Sequence, residues 1–229
     1  MNSEPLQPDR PVDEVCAELR CRMVEQQLLR RDITDERVLQ AMRTVPRHEF
    51  IPDTPLERAH ADHPISIGQG QTISQPYIVA LTTQLIRPEP HFRVLDVGTG
   101  SGYQAAVLGE LVAEVLSLEI VPELAKSARS RLVELGYSHV QVRNADAWRG
   151  WPEAAAAPFD AIVAAAAPET VPPRLIEQLR PGGRLVMPVG RERQTLVVVE
   201  KLTDGTTRTR DVCPVSFVPM TGGRDRRNP

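Results

Sequence analysis

The sequence predicts an α/β fold: a doubly wound, mostly parallel Rossmann-like sheet, with an N-terminal helical extension and an antiparallel C-terminal edge pair. Three observations lead there. From residue 92 onward, short apolar runs alternate with helical patterns. The runs are nearly continuous in apolar character, as strands covered on both faces must be. After Gly190 the helical patterns stop and two strand-like runs follow in succession, which suits an antiparallel pair at a sheet edge.

Residues 1–11, "MNSEPLQPDRP", are polar and proline-containing and are expected to be a disordered tail. Residues 12–90 form the helical region. Val15, Leu19, Met23 and Leu28 fall at mostly helical spacing near residues 12 to 30. Thr34 is the expected N-cap of a second helix, with Asp35 and Glu36 in its first turn. Val38, Met42 and Val45 make its stripe, and Pro46 ends it. "GQGQTISQPYIVA", from Gly68 to Ala80, reads as a loop (68–76) running into a further helix. Residues 91–223 form the α/β core. Its expected strands are "FRVLDVG", "AEVLSLEI", "HVQVRNAD", "FDAIVAAAA" and "GRLVMPVG", then "QTLVVVEKL" and "DVCPVSFVPM" joined by the turn "TDGT". One intervening helix opens at Pro122 and stops at Gly136, with Leu124, Ala128, Leu132 and Leu135 as its stripe. Another is carried by "PPRLIEQLRPGG", and residues 224–229 are a tail.

Composition excludes several classes. The chain of 229 residues is 41% hydrophobic with net charge −3, so it can bury a core and has no general basic footprint for nucleic acid. The arginines of "GGRDRRNP" read as a solvated tail. No segment resembles a signal peptide or a spanning helix, so a cytoplasmic protein without membrane or nucleic-acid partners is expected, with a monomer as the default state. Cys16, Cys21 and Cys213 lack a neighbouring histidine cluster, so no metal is expected and reduced thiols are the simplest reading.

The chemistry concentrates in "VLDVGTGSGYQAAVL". Gly98, Gly100 and Gly102 recur every second residue between a strand and a helix, where glycine allows a sharp turn and close ligand approach. Glu119 ends the next strand, about twenty residues on, where a carboxylate can accept both ribose hydroxyls. Asp96 and Asp146 stand at neighbouring strand ends. A dinucleotide needs a free helix N-terminus for its pyrophosphate, and a rim of carboxylates repels phosphate. It suits the sulfonium and ammonium of S-adenosylmethionine. Tyr103 also stands where the last glycine of a dinucleotide fingerprint would be. The physics therefore favours the methyl donor over a dinucleotide. Read singly, the glycines could be turn residues, Glu119 an exposed strand-end acid, and Asp96 a loop-orienting group. Ser74 or Gln75 could simply cap the following helix, with Pro76 at N1, and from the residues alone capping is the favoured reading.

The order of "VLQAMRTVPRHEFIP", "GQTISQPYIVA", "VLDVGTGSGYQAAVL", "LEI", "LGY", "PFDAIVAAAAP", "QLRPGGRLVMPVG" and "FVPMTG" resembles the protein-L-isoaspartate O-methyltransferases over about residues 22 to 223. The glycine loop alone would indicate only a class I methyltransferase; "GQTISQPYIVA" is the specific part. The resemblance implies methyl transfer from S-adenosylmethionine, leaving S-adenosylhomocysteine, to the free carboxylate of L-isoaspartyl residues in damaged proteins and peptides. The ester then closes to a succinimide, which hydrolyses partly to normal aspartate. It also implies Ser74 as the active-site residue, orienting the carboxylate, and Gln71, Thr72 and Ile73 lining the cofactor side. Ser101 would lie near the methionine moiety, Glu119 and Ile120 at ribose and adenine, Asp146 and Ala147 at adenine, and Thr221 closing the site.

Three departures qualify this. Ala145-Asp146-Ala147 stands where the family commonly has Gly-Asp-Gly. Ala164 replaces a frequent threonine, and Ser216 a frequent arginine. The last two leave room for a relative that methylates an ordinary Asp of one natural-product peptide. A nicotinamide-dependent dehydrogenase is disfavoured because a Tyr-x-x-x-Lys pair is lacking. A non-enzymatic cofactor-binding scaffold is disfavoured because it leaves "QTIS" without a purpose.

Overall fold

The structure, a computed structural model, describes residues 11–223; the expected tails at 1–11, Pro11 apart, and at 224–229 lie outside the described residues. Helix α1 (Val12–Met23) buries Val15, Cys16, Leu19 and Met23. It passes into a π-helical turn, Val24–Leu28, closed by the Leu29 N–H on the Val24 carbonyl at 3.0 Å. Helix α2 (Glu36–Thr44) corrects the expected cap. Asp35, not Thr34, is the N-cap, and its carboxylate accepts the Arg37 N–H at 3.0 Å. The Thr34 and Asp35 amides both donate to Gln84 Oε1, at 2.7 and 2.8 Å, which delays the helix start by one residue. A 3-10 turn (Arg47–Phe50) and the single-turn α3 (Leu56–Ala59) follow.

The stretch expected as a loop is in part a hairpin. Strands β1 (Ile65–Gly68) and β2 (Gln71–Ile73) pair antiparallel, with Ile65 opposite Ile73. Gly68, Gln69 and Gly70 all take positive φ, at 84°, 53° and 70°. Two glycines make so tight a reversal possible. Helix α4 (Pro76–Leu85) begins directly after it, with Pro76 in the first turn.

The core sheet contains β3 (Arg93–Val97), β4 (Glu114–Glu119), β5 (Val140–Asn144), β6 (Phe159–Ala164), β7 (Leu179–Val189), β8 (Gln194–Lys201) and β9 (Thr207–Val215), in the order β5-β4-β3-β6-β7-β8-β9. The first five are parallel. β8 and β9 are antiparallel at one edge. Helices α5 (Tyr103–Gly109), α6 (Pro122–Glu134) and α7 (Pro173–Gln178) connect the parallel strands. Successive residues serve opposite cores: Val94, Val115, Ala161 and Val186 join one apolar cluster, and Leu95, Leu116, Ile162 and Leu185 the other. That two-residue alternation is the signature of a sheet covered on both faces. Two boundaries differ from expectation. The helix in "PPRLIEQLRPGG" ends at Gln178 and β7 starts at once. The last strand ends at Val215, and "SFVPM" continues as a strap whose Pro219 bridges Ala167.

Candidate active site

From β3 the chain steps outward on one side to β4 and β5, and on the other to β6. The carboxyl ends of β3 and β6 therefore frame the crevice where such sheets take ligands. The glycine loop leaves β3 there. Gly98, Gly100 and Gly102 have φ of 90°, 53° and 94°, left-handed values that side chains with a Cβ rarely adopt. The Gly98 and Thr99 amides donate to the Leu118 carbonyl at 2.8 and 3.1 Å, fixing the loop to the end of β4. Gly102 is the N-cap of α5.

Glu119 ends β4 and is almost fully buried. Its Oε2 accepts the Gly100 N–H at 2.8 Å and its Oε1 the Val121 N–H at 2.9 Å. Each oxygen keeps a further lone pair for a hydroxyl donor. Asp96 is wholly buried beneath the loop. Its Oδ2 accepts the Ser117 hydroxyl at 2.6 Å, and Ser117 Oγ lies 2.6 Å from Thr99 Oγ1. Burial pushes the Asp96 pKa up to about 7, with the Ser117 bond opposing the rise and the Glu119 charge adding to it.

Three connected spaces open here. The first, of about 610 Å3, is walled by Gln71, Thr72, Gly98, Gly100, Glu119, Ile120, Ala147 and, from the strap, Thr221. The second, about 460 Å3, is walled by Thr72, Ile73, Ser74, Gly98, Gly100 and Ser101. The third is an open groove of about 1250 Å3 beside Ser74, Tyr77, Cys213 and Ser216. Thr72 and Ala165 line all three, and Ser74 stands where the second meets the groove. Among the described residues, no lysine or arginine lines any of them. A ligand bearing phosphate would find no cation on these walls, where the charged lining residue is Glu119.

The structure thus brings eleven predicted residues to one cleft: Gln71, Thr72, Ile73, Ser74, Gly98, Gly100, Ser101, Glu119, Ile120, Ala147 and Thr221. Asp96, Gly102 and Asp146 do not stand on its walls. Asp96 is under the loop, and Gly102 starts α5. The Asp146 carboxylate is turned to main-chain donors, the Trp148 N–H at 3.0 Å and the Gly223 N–H at 2.8 Å. Capping of α4 by the loop is also corrected. Gln75 is the N-cap position but gives no side-chain bond, and the Tyr77 N–H goes instead to Asp62 Oδ1 at 3.2 Å. The Ser74 hydroxyl has no hydrogen-bond partner among the described residues. Sequence reasoning missed Ala165, Phe217 and Val218 on the walls, and Arg47 behind Ser74. "FVPM" and "VPRHEFIP" were the available signals.

Residues 19–225 match the family model described as protein-L-isoaspartate(D-aspartate) O-methyltransferase. A protein-L-isoaspartate O-methyltransferase 2 of Polaromonas sp. is 55% identical over 192 residues, covering 83% of this chain and 90% of that one. The protein-L-isoaspartate O-methyltransferase of Opitutus terrae is 56% identical over 201 residues, covering 87% and 85%. A solved structure of a putative protein-L-isoaspartate O-methyltransferase from Plasmodium falciparum, in complex with S-adenosyl-L-homocysteine, is similar with a TM-score of 0.76 at 25% identity. It covers 90% of this chain and 98% of that one. With a family match over nearly the whole length and relatives more than half identical across it, the chain belongs to the protein-L-isoaspartate O-methyltransferase family.

Proposed function

We propose that this chain transfers the methyl group of S-adenosylmethionine to the free carboxylate of L-isoaspartyl residues in proteins and peptides, opening their repair through a succinimide. The observation that carries the reading is Ser74. Its hydroxyl, without a hydrogen-bond partner among the described residues, stands where a walled space meets an open groove. The bound cofactor supplies an electrophilic methyl carbon on a sulfonium. Glu119 would accept the ribose hydroxyls, and its two backbone bonds hold it still for that task. Ile120 and Ala147 would hold adenine, and Ser101 and the glycine loop would hold the methionine end, with Gln71, Thr72 and Ile73 lining the space between; all of them stand on the walls of the first two spaces. Thr221 covers the chamber from the strap.

The attacking group needs no base. An α-type carboxyl has a pKa of about 3.5 and is ionised near pH 7. The protein's task is alignment, which can supply roughly 7 to 11 kcal/mol. Ser74 aims the carboxylate by a single hydrogen bond; binding the oxygen tightly would lower its reactivity. A cytoplasmic location and a monomeric state are part of this proposal; the three cysteines, none in a disulfide, suit a reducing compartment. No helix among the described residues is long and apolar enough to cross a membrane.

The test is a matched peptide pair, one with L-isoaspartate and one with normal Asp, incubated with methyl-labelled S-adenosylmethionine. Label is expected on the isoaspartyl peptide alone. Equal label on both would overturn the repair reading. Label on neither, despite tight cofactor binding, would replace it with a dedicated partner peptide.

A further inference from the structure

Arg47 opens the 3-10 turn after α2, and its side chain is completely buried. A buried cation ordinarily has a carboxylate partner, because losing its hydration is expensive. Arg47 has no ion pair among the described residues. Its Nε donates to the Ala59 carbonyl at 2.8 Å, and its Nη2 donates to the Ser74 carbonyl at 2.9 Å. Its Cζ lies 4.7 Å from the centre of the Tyr103 ring, a cation–π distance. Burial lowers the guanidinium pKa from its ordinary value, with Tyr103 opposing the shift. Tyr103 is the first residue of α5, directly after the glycine loop. The same turn reaches that loop a second time: Phe50 packs edge-on against Tyr103 at 5.5 Å, and a Cβ on Gly102 would lie 3.5 Å from Phe50. One side chain therefore touches the main chain of the substrate-side serine and the ring that anchors the cofactor loop.

We propose that Arg47 is a positioning residue for methyl transfer, holding the Ser74 main chain in fixed register with the glycine loop. The inference rests on the reading of Ser74 as the group that aims the carboxylate. Arg47 touches neither ligand; none of the three spaces is lined by it. Its guanidinium fork suits the task, since it can donate in two directions from one rigid plane. Lysine cannot reproduce that.

The experiment is a double-mutant cycle on full-length protein with Arg47→Met and Ser74→Ala. The readouts are kcat on an isoaspartyl peptide, S-adenosylhomocysteine affinity and melting temperature. Ser74→Ala is expected to lower kcat by about tenfold or more. Arg47→Met is expected to do the same with Ser74 present, but to cost about threefold or less once Ser74 is alanine. Affinity for S-adenosylhomocysteine should stay within about threefold throughout. An unchanged kcat in Ser74→Ala would overturn the Ser74 reading, and this inference with it. A fall in Ser74→Ala, joined to an Arg47→Met loss that is absent or equal in both backgrounds, would overturn the inference alone. Arg47→Lys carries the same cycle if the methionine variant does not fold. Failure of both to fold would assign Arg47 to the core and overturn the proposal.

Discussion

His60 shows how one buried side chain carries a pH dependence of its own. It is 3% exposed, and its Nδ1 lies 2.7 Å from the Leu56 carbonyl, so that nitrogen carries the proton. Burial drives its pKa from 6.5 to about 4; the Leu56 carbonyl opposes this, while His48, Arg47 and Arg20 add to it. The folded chain therefore keeps His60 neutral at pH values where the unfolded chain protonates it. Its contribution to stability is complete above pH 6.5 and is lost as pH falls towards about 4, up to about 3 kcal/mol. Asp96 acts in the opposite sense. Its folded pKa is raised from 3.8 to about 7, so acidification through that interval favours the fold. The wild-type curve holds only the sum. Denaturant unfolding of wild type and His60→Gln, compared from pH 7 to pH 4.5, isolates the histidine. The wild type should lose stability more steeply, and parallel curves would reject the assignment. At this scale the sequence was most legible where spacing encodes a turn or a strand end, as at Gly98, Gly100 and Glu119. It was least legible at Arg47 and Asp146, whose partners lie far off along the chain.

Two short elements finish the cleft that the sheet begins. The β1–β2 hairpin contributes Gln71 and Thr72, and the strap after β9 contributes Val218 to Thr221. Strands of four and three residues are too short to show alternation, so the stretch reads as a loop in the sequence although its site residues stand out. The path of the strap was illegible for a different reason: its bonds are long-range. Met220 N–H donates to the Ala167 carbonyl at 2.9 Å, and the Val218 carbonyl accepts the Ala167 N–H at 2.9 Å. Gly222 lies beside Asp146 with φ of 99°, and a Cβ there would stand 2.4 Å from Asp146 Oδ1. Gly222→Ala should therefore displace the strap from Asp146. Calorimetric titration is expected to show S-adenosylhomocysteine affinity weakened by about fivefold or more, roughly 1 kcal/mol. Unchanged affinity would show that the strap does not wall the cofactor chamber.

Across the whole molecule, the pattern change near residue 91 suggested a helical region beside an α/β core. The packing shows one body. A single apolar cluster joins Met23, Leu28, Val38, Met42 and Val79 to Val94, Val115 and Leu196. Each such side chain contributes roughly 1.5–3 kcal/mol when buried, so removing the first group strips one face of the sheet. Periodicity revealed which residues are apolar on each helix, but not that they share a core with strands as distant along the chain as the one carrying Leu196. Full-length protein should melt in one calorimetric transition with equal calorimetric and van't Hoff enthalpies. A fragment beginning at residue 91 should show no cooperative transition. A fragment that melts cooperatively would establish two independent units.

The strap also has a consequence for the newly made chain. Every other wall of the space it closes lies at or before Ala166, whereas Val218 to Thr221 are translated only after β7, β8 and β9. A nascent chain can pair β3 with β4 and β6 long before that chamber has its last side. A ligand stabilises only the form that binds it. The strap's share of the hold on cofactor is therefore added last, once the strap has met Ala167, and a chain interrupted during synthesis of the edge strands binds more weakly for lack of it. Ligand affinity thus rises with the last wall, in the order in which the walls are made.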